Sequence, residues 1–322
     1  RISFVGGSTD YPAWYRKRPG AVLSATIDKY GYLTCRYRLP ILGHKYSISY
    51  SQLELADTVD EIRHPSVRET LKAFAINDGL EIKHDADLPA KAGLGSSSAF
   101  TVGLVNALYA MEGKRAEPME LANMAIMIEQ DMIKENVGSQ DQVATAFGGL
   151  NRIDFGWNGK IGDTIKVLPI KISSERAREL EANLALLFTG FTRFASEVAS
   201  DQIKQMGQPD IIRQMEHLYS LVAEGVTIIT TGSIRNFGKL LHESWMIKRS
   251  LSPKISMPDV DSIYRKAIEL GAYGGKLIGA GGGGFLLLCA EPEVQRRIAE
   301  QLKLFMVKFQ LLLLLQTKLT QI

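Results

Sequence analysis

The sequence predicts a two-domain fold of mixed helices and strands, and three observations support this prediction. The chain has 322 residues, a length that usually forms one large or two medium domains. Segments with the alternating pattern of strands interleave with segments that have the apolar periodicity of helices. The composition shifts around residues 172–181, so we place a domain boundary between residues 1–172 and residues 173–322.

Composition and charge exclude several classes of protein. The net charge of +3 is small and spread along the chain, so we expect no nucleic-acid partner and no membrane-binding face. Two distant cysteines and five scattered histidines lack metal-ligand spacing, which predicts reduced thiols in the cytoplasm and no zinc site. No signal peptide is visible, and the longest apolar run, residues 311–315, is too short to span a bilayer.

The first strand leads into a loop that is rich in turn formers. Residues 1–5 alternate polar and apolar side chains, as a half-buried strand does, so we expect native residues before them. The residues that follow are Gly6, Gly7, Ser8, Thr9 and Asp10. They form either a surface turn or a sugar-binding loop, in which Asp10 accepts hydrogen bonds from two hydroxyl groups. Further strands are predicted over residues 22–27, 31–38 and 45–51.

The stretch LPAKAGLGSSSA, residues 88–99, predicts an anion site. A strand over residues 80–83 precedes it, and an apolar helix over residues 100–111 follows it. Gly93 and Gly95 permit backbone angles that a Cβ atom disfavours, and the start of a helix offers unpaired N–H groups to phosphate. The alternative is an ordinary serine N-cap after a glycine turn. The stretch is not a Walker loop, because no lysine follows the second glycine in that pattern.

Two carboxylates twelve residues apart are candidates for chemistry. A helix predicted over residues 118–135 packs an apolar face on the core, and Glu129 lies beside that face. Gly138 breaks this helix, and Asp141 follows in the first turn of the next one. The alternatives are a surface carboxylate for Glu129 and, for Asp141, a charge that complements the helix dipole.

The second half adds an arginine at a strand end and a tract of glycines. A buried strand is predicted over residues 184–188, and Arg193 follows it as a rim charge or as a two-pronged ligand for an anion. Lys248 and Arg249 are second candidates for an anion contact. They lie at the end of the second of two helices predicted over residues 209–231 and 237–248. Residues 274–284 contain seven glycines in eleven positions, which is more than a hairpin turn needs.

These motifs resemble those of the GHMP kinases, the family named for galactokinase, homoserine kinase, mevalonate kinase and phosphomevalonate kinase. The family's phosphate loop has a proline, a few residues and then Gly-Leu-x-Ser-Ser-Ala. The chain matches it at Pro89, Gly93, Leu94, Ser96, Ser97 and Ala99, with one extra serine before the alanine. Glu129, Asp141 and Gln142 reproduce the spacing of the galactokinase glutamate, catalytic aspartate and glutamine, and the glycine tract matches the third motif.

The first eleven residues sharpen the resemblance. Galactokinase opens with Arg-Val-Asn-Leu-Ile-Gly-Glu-His-Thr-Asp-Tyr, and residues 1–11 follow the same register without a gap. Gly7 and Ser8 stand in place of the Glu and His, so the sugar must be held differently. The form RISFVGGSTDYP is most similar to the bacterial D-glycero-D-manno-heptose 7-phosphate kinases within the family.

The resemblance covers residues 1 to about 302 and implies an α+β fold of two GHMP kinase domains. The N-terminal domain would be like ribosomal protein domain 2, the C-terminal domain would be ferredoxin-like, and the site would lie between them. ATP and Mg²⁺ are the implied cofactors, and a sugar phosphate is the implied acceptor, phosphorylated at its anomeric hydroxyl for GDP-heptose and surface polysaccharide synthesis.

The resemblance also implies roles for particular residues. Asp141 would orient or deprotonate the attacking hydroxyl, and Arg1 would face the transferred phosphate. Ser97 and Glu129 would hold Mg²⁺, with Ser96 and Ser98 as substitutes because the extra serine blurs the register. The ATP contacts would be Lys91, Gly93, Leu94, Gly95, Ser96, Ser97 and Ser98. The substrate contacts would be Gly6, Gly7, Ser8, Thr9, Asp10, Arg193, Gly281 and Gly282.

Three alternatives stay open. The first is a kinase of a free sugar such as fucose or galactose. The second is a non-catalytic sugar sensor, against which the presence of Asp141 and Glu129 argues. The third is a decarboxylase of the mevalonate route, against which the polar GGSTDYP loop argues. The oligomeric state is also open, with a homodimer as one form.

Overall fold

Three sheets, each with helices packed against it, make up the fold. The structure is a computed structural model that describes residues 1–90, 92–158, 163–191 and 195–313. Lys91 and Arg193, both expected at the site, lie outside the described residues. Within the described ranges, no helix is both long enough and apolar enough to cross a bilayer.

Strands and helices alternate along the chain. The strands are β1 (Ile2–Val5), β2 (Gly20–Ile27), β3 (Gly31–Tyr37), β4 (Tyr46–Ser49), β5 (Leu53–Ala56), β6 (Leu80–Ala86), β7 (Leu150–Trp157), β8 (Asp163–Pro169), β9 (Leu184–Phe188), β10 (Gly274–Leu277), β11 (Phe285–Cys289), β12 (Met306–Val307) and β13 (Leu311–Leu312). The helices are α1 (Pro12–Tyr15), α2 (Pro65–Ala73), α3 (Ser96–Met111), α4 (Pro118–Ile126), α5 (Gln140–Phe147), α6 (Ser174–Asn183), α7 (Ala195–Gln205), α8 (Pro209–Thr231), α9 (Ile234–Ser250), α10 (Pro258–Glu269) and α11 (Pro292–Leu302).

The first sheet has the order β1-β2-β7-β8, and every pairing in it is antiparallel. Ala25 in β2 lies opposite both Ile2 of β1 and Leu150 of β7. Strand β2 is buried along almost its whole length, because α8 and α5 pack against it. Strand β13 also pairs with β2, at Thr26 and Ile27, so the last described strand returns to the first sheet.

The second sheet, in the order β3-β6-β4-β5, supports the predicted anion site. Strand β4 runs parallel to β6, while the other pairs are antiparallel. Helices α2 and α3 cover one face of the sheet over an apolar cluster that includes Ile48, Ile82 and Leu104. The chain leaves β6, passes through residues 87–95 and enters α3, as the strand–loop–helix prediction requires.

The third sheet, in the order β10-β11-β9-β12, carries the second half of the molecule. Helix α9 packs on β10 and β11, and residues 278–284 form the glycine-rich turn between these two strands. Strands β1–β8 precede the predicted domain boundary at residue 172, and β9–β12 follow it.

One predicted helix differs from the structure. Residues 118–135 were expected to form a single helix, but α4 ends at Ile126 and a π-helical turn, Met127–Met132, follows it. A π-turn inserts an extra residue per turn, and such turns occur often at functional sites. Here the turn contains Glu129, which is buried.

Candidate active site

The loop before α3 has the conformation that its glycines predict. Gly93 and Gly95 have φ angles of +83° and +74°, in the left-handed region, and α3 begins at Ser96 directly after Gly95. Ser96, Ser97 and Ser98 line a cavity in front of this helix start. The first turn of a helix presents N–H groups without helical partners, so the loop has the geometry of a phosphate site.

The glycine-rich turn between β10 and β11 packs directly on this loop. A Cβ atom on Gly93 would overlap the carbonyl of Ile278, and a Cβ atom on Gly279 would overlap the backbone of Gly93. The glycine-rich turn therefore holds the loop before α3 by contact between backbones, which side chains at Gly93 and Gly279 would prevent.

Arg1 and Asp141 form an ion pair beside the loop. Asp141 stands in the first turn of α5, and its side chain is 25% exposed, whereas the side chain of Arg1 is 3% exposed. A Cβ atom on Gly95 would lie 2.9 Å from Oδ2 of Asp141 and 3.2 Å from Nε of Arg1. Burial lowers the pKa of the Arg1 guanidinium to about 10, and Asp10 opposes that shift.

Asp10 is held by a set of hydrogen bonds from the loop and from α5. Its Oδ1 accepts from the backbone N–H of Ser8 at 3.0 Å and from Nε2 of Gln140 at 2.9 Å. The N–H of Gln140 donates to Oδ2 at 3.3 Å. Gly138 packs against the carboxylate, where a Cβ atom would overlap it. Burial raises the pKa of Asp10, and nearby Arg1 opposes that shift.

Glu129 contacts Ser98 rather than Ser97. The Ser98 hydroxyl donates to Oε2 of Glu129 at 2.9 Å, and Nε2 of Gln142 donates to the same oxygen at 2.6 Å. Ser97 is exposed, and its carbonyl accepts a hydrogen bond from Thr101. The other carboxylate oxygen, Oε1, is buried and makes no hydrogen bond within the described residues. Burial raises the pKa of Glu129, and the donors from its neighbours oppose this.

One cavity of about 570 Å³ brings most of the expected site residues together. The expected residues that line it are Arg1, Gly7, Ser8, Asp10, Gly93, Gly95, Ser96, Ser97, Ser98, Asp141 and Gly281. Glu129 adjoins it through Ser98. Leu94 lines a neighbouring recess of about 70 Å³, together with Tyr30, Leu33, Leu88 and Phe100.

Three of the expected substrate contacts, Gly6, Thr9 and Gly282, do not line this cavity. A Cβ atom on Gly6 would overlap the carbonyl of Ala21, so Gly6 packs against β2. Thr9 is fully buried, and its hydroxyl accepts from the N–H of Ala21 at 3.0 Å. The N–H of Gly282 donates to the carbonyl of Ile255 at 2.9 Å, and Gly282 does not line the cavity. The loop therefore meets the cavity through Gly7, Ser8, Asp10 and Tyr11.

The cavity residues that the sequence reasoning missed include Lys276, Gln140 and Ser3. Lys276 lies in β10 and is 2% exposed, and its Nζ donates to the carbonyl of Phe4 at 2.9 Å. A lysine inside a buried, glycine-rich strand is the sequence signal that could have identified it. Of the second candidates, Lys248 lines the cavity, whereas Arg249 pairs with Asp261 of α10.

Comparisons with known proteins agree with this geometry. The family model for the GHMP kinases N terminal domain matches residues 55–149, and the model for the GHMP kinases C terminal domain matches residues 222–308. The chain is 28% identical over 315 residues to the D-glycero-alpha-D-manno-heptose 7-phosphate kinase of Campylobacter jejuni, covering 94% of this chain and 91% of that protein. It is 25% identical to the galactokinase of Pyrococcus furiosus, covering 96% of this chain and 92% of that protein.

A solved structure shares the fold. The crystal structure of a D-glycero-D-manno-heptose 1-phosphate kinase from Bacteroides thetaiotaomicron superposes with a TM-score of 0.75 at 22% identity, covering 96% of this chain and 93% of that one. The predicted α+β kinase fold is therefore confirmed.

Proposed function

Because the chain belongs to the GHMP kinase family, we propose that it transfers phosphate from ATP to the anomeric hydroxyl of D-glycero-D-manno-heptose 7-phosphate. The observation that carries the proposal is the Arg1–Asp141 pair, which lies against Gly95 of the phosphate loop in a cavity that Asp10 also lines. The product would be formed in the cytoplasm and would supply GDP-heptose for surface polysaccharide.

Asp141 and Arg1 would act on the two reacting groups. The sugar oxygen attacks the γ-phosphorus of ATP while the bond to the bridging oxygen of ADP breaks. Asp141 would orient the attacking hydroxyl and accept its proton as the new O–P bond forms. Arg1 would neutralise the charge on the transferred group, since its Nε and Nη1 make no hydrogen bond within the described residues.

The residues near Glu129 fit a magnesium ion. Mg²⁺ prefers oxygen ligands and is usually held by one or two carboxylates together with substrate phosphates. The free Oε1 of Glu129 and the hydroxyl of Ser98 supply such oxygens beside the phosphate loop. A bound Mg²⁺ would neutralise phosphate charge, and Ser98 replaces Ser97 as the proposed serine ligand.

The recess beside the loop suits the base of ATP. Tyr30, Leu33, Leu88 and Phe100 give it an apolar wall, and Ser96 at the helix start connects it with the main cavity. Ligand sites are typically apolar with a few polar groups that fix orientation. We therefore assign adenine to this recess and the nucleotide phosphates to Gly93–Ser98.

A substrate panel tests the proposed function. The purified protein is assayed for ADP release with Mg·ATP and each of four sugars: heptose 7-phosphate, the heptose without phosphate, galactose and fucose. We expect the highest kcat/KM with heptose 7-phosphate and a product phosphorylated at C1 by ³¹P NMR. If the wild-type protein releases no more ADP than Asp141→Asn with any of the four sugars, this function is rejected.

The alternative is a kinase of a free sugar. The similarity to a galactokinase over 96% of the chain favours it. Gly7 and Ser8 disfavour it, because they stand where galactokinase has Glu and His. A higher kcat/KM with galactose or fucose than with heptose 7-phosphate would establish the alternative.

A further inference from the structure

Two buried lysines of the cavity lack an anionic partner. Lys248, in the last turn of α9, and Lys276, in β10, are 6% and 2% exposed. Their ammonium groups donate to the backbone carbonyls of Gly279 and Phe4. Within the described residues, no carboxylate oxygen lies within 4.0 Å of either nitrogen. A buried charge is costly unless it is paired, so these two groups favour an anion in the cavity.

Further donors surround the backbone of Gly7. A Cβ atom at Gly7 would lie 3.6 Å from Oγ of Ser3, 3.7 Å from Nε2 of Gln140 and 4.0 Å from Nζ of Lys248. Gly7 is absent from the glycines with positive φ, so its backbone does not require glycine. The missing side chain instead leaves space between three hydrogen-bond donors.

Two serine hydroxyls complete this surface. Ser3 and Ser8 are 4% and 3% exposed, they line the cavity, and their Oγ atoms make no hydrogen bond within the described residues. Unsatisfied buried hydroxyl groups are uncommon in folded proteins and require an explanation. We call Ser3, Gly7, Ser8, Lys248 and Lys276 the anion recess.

Two carboxylates of the cavity are engaged by other donors. The carboxylate of Asp141 pairs with Arg1, and the carboxylate of Asp10 accepts from uncharged donors of Ser8 and Gln140. Glu135 also lines the cavity, so the two lysines are distinguished by the lack of a carboxylate within 4.0 Å among the described residues and not by an excess of positive charge. A phosphate monoester would supply a negative charge beside them and would accept from the serine hydroxyls and both lysines.

We propose that the anion recess binds the substrate's own phosphate, in the same cavity as the nucleotide phosphates but on different residues. This inference rests on the proposed function, because it requires a phosphorylated acceptor. Of the expected anion contacts, it retains Lys248 but not Arg249, whose guanidinium group is paired with Asp261. The carboxylate that galactokinase carries at the position of Gly7 would occupy the recess and repel a phosphate, so Gly7 is a specificity-determining residue.

Two pairs of variants test the recess. Gly7→Asp adds a carboxylate to the space, and Gly7→Ala adds a methyl group without charge. Lys248→Met removes a buried cation, and Lys239→Met makes the same change at an exposed position of the same helix. The measured quantity is the ratio of kcat/KM for heptose 7-phosphate to kcat/KM for the unphosphorylated heptose, together with the melting temperature.

We expect Gly7→Asp and Lys248→Met to lower this ratio about tenfold or more, as loss of a charged hydrogen bond does, while Lys239→Met leaves it unchanged. Gly7→Ala should lower the ratio less than Gly7→Asp. If Lys248→Met and Gly7→Asp lower the melting temperature but leave the ratio at the wild-type value, the lysine is purely structural and the inference is wrong.

Calorimetry separates failure of the recess from failure of the proposed function. Mannose 6-phosphate and mannose are titrated into the wild type and into Lys248→Met, without ATP. Preferential binding of mannose 6-phosphate by the wild type, lost in Lys248→Met, supports the recess even if heptose 7-phosphate is no substrate. Equal binding of the two sugars by the wild type overturns the recess, whatever the substrate panel shows.

Discussion

At the residue scale, Asp141 is both the proposed catalytic carboxylate and the ion-pair partner of a buried arginine. A substitution should therefore affect turnover and stability, and the two effects are measured separately. Asp141→Asn retains the shape and removes the charge. We expect turnover to fall by roughly 10²–10⁴-fold, the usual contribution of a general base, with little change in the affinities for ATP and sugar. The melting temperature should also fall, because Arg1 loses its carboxylate partner.

Turnover is therefore measured well below the melting temperature of the variant, with binding measured by calorimetry. Asp131→Asn, at an exposed position of the π-turn, is the control for the chemical change. An Asp141→Asn protein with a wild-type rate would remove the aspartate from the mechanism and leave it a helix-dipole role.

Gly95 packs against the Arg1–Asp141 pair, and a matched glycine elsewhere in the chain isolates the effect of this contact. Gly95 and Gly113 have φ angles of +74° and +73°, but nothing lies within 4 Å of a Cβ atom on Gly113. Alanine at either position costs about 1–2 kcal/mol of backbone strain. Only Gly95→Ala pushes against Asp141, so we expect a large loss of kcat for that variant and a normal kcat for Gly113→Ala. Equal kcat values for the two variants would contradict this reasoning.

Lys248 predicts a pH dependence of stability. Burial lowers its pKa to about 8 from an ordinary value of 10.5, with Asp10 opposing and Arg1 adding to the shift. Between these two values the unfolded chain binds more protons at this site than the folded chain, so folding stability due to Lys248 rises with pH in that window. The melting temperature of the wild type, measured relative to that of Lys248→Met, should therefore rise as the pH increases from about 8 to 10.5. A constant difference would mean that the lysine titrates normally.

At the element scale, the π-turn brings a carboxylate to the start of α3. Glu129→Gln should leave the fold intact and raise the Mg²⁺ concentration needed for half-maximal rate by about tenfold or more, since it removes a proposed ligand. Glu120→Gln, exposed in the first turn of α4, is the control. Titration of the rate with Mg²⁺ at saturating ATP gives the measurement, and coincident curves for the two variants would exclude Glu129 as a ligand.

Helix α8 and the π-turn together show how far the sequence can predict the fold. Helix α8 has the predicted limits, Pro209 and Thr231, because a proline at its first turn and a regular apolar stripe are local signals. The π-turn at Glu129 leaves no such signal, since its extra residue depends on contacts with Ser98 and Gln142. Likewise, the glycine-rich strand marks Lys276 in the sequence, but the depth of its burial depends on the strands and the helix that pack around β10.

The parts of the candidate site that a motif determines through the backbone could be predicted from the sequence. The side chains that face the cavity could be predicted less well, because packing determines their direction. The glycines and serines of residues 93–98 determine a turn and a helix start, and both were expected. Gly6 and Thr9 belong to the same loop as Asp10, but they pack against Ala21 of β2. Which residue of a loop faces a cavity depends on the sheet behind it.

At the scale of the whole molecule, one of the contacts between the two halves joins two glycines, Gly93 and Gly279. Gly279→Ala would place a Cβ atom against the backbone of Gly93, and the φ of Gly279, +77°, adds strain. We expect a lower melting temperature and a higher KM for ATP, because the phosphate loop must shift. Gly190→Ala, with a φ of +82° and no described residue within 4 Å of the added atom, is the control. An unchanged KM for ATP would show that the loop keeps its shape without this contact.

The pairing of β13 with β2 has a consequence for the order in which the protein folds during synthesis. Gln310 donates its N–H to Oδ1 of Asp28 at 2.9 Å, across 282 residues of sequence. A nascent chain can form the β1-β2-β7-β8 arrangement early, but the end of β2 stays open until the ribosome has released residues 310–312. Contacts between residues so distant in sequence are slow to form, so we expect β13 to pair with β2 after β1, β2, β7 and β8 have come together.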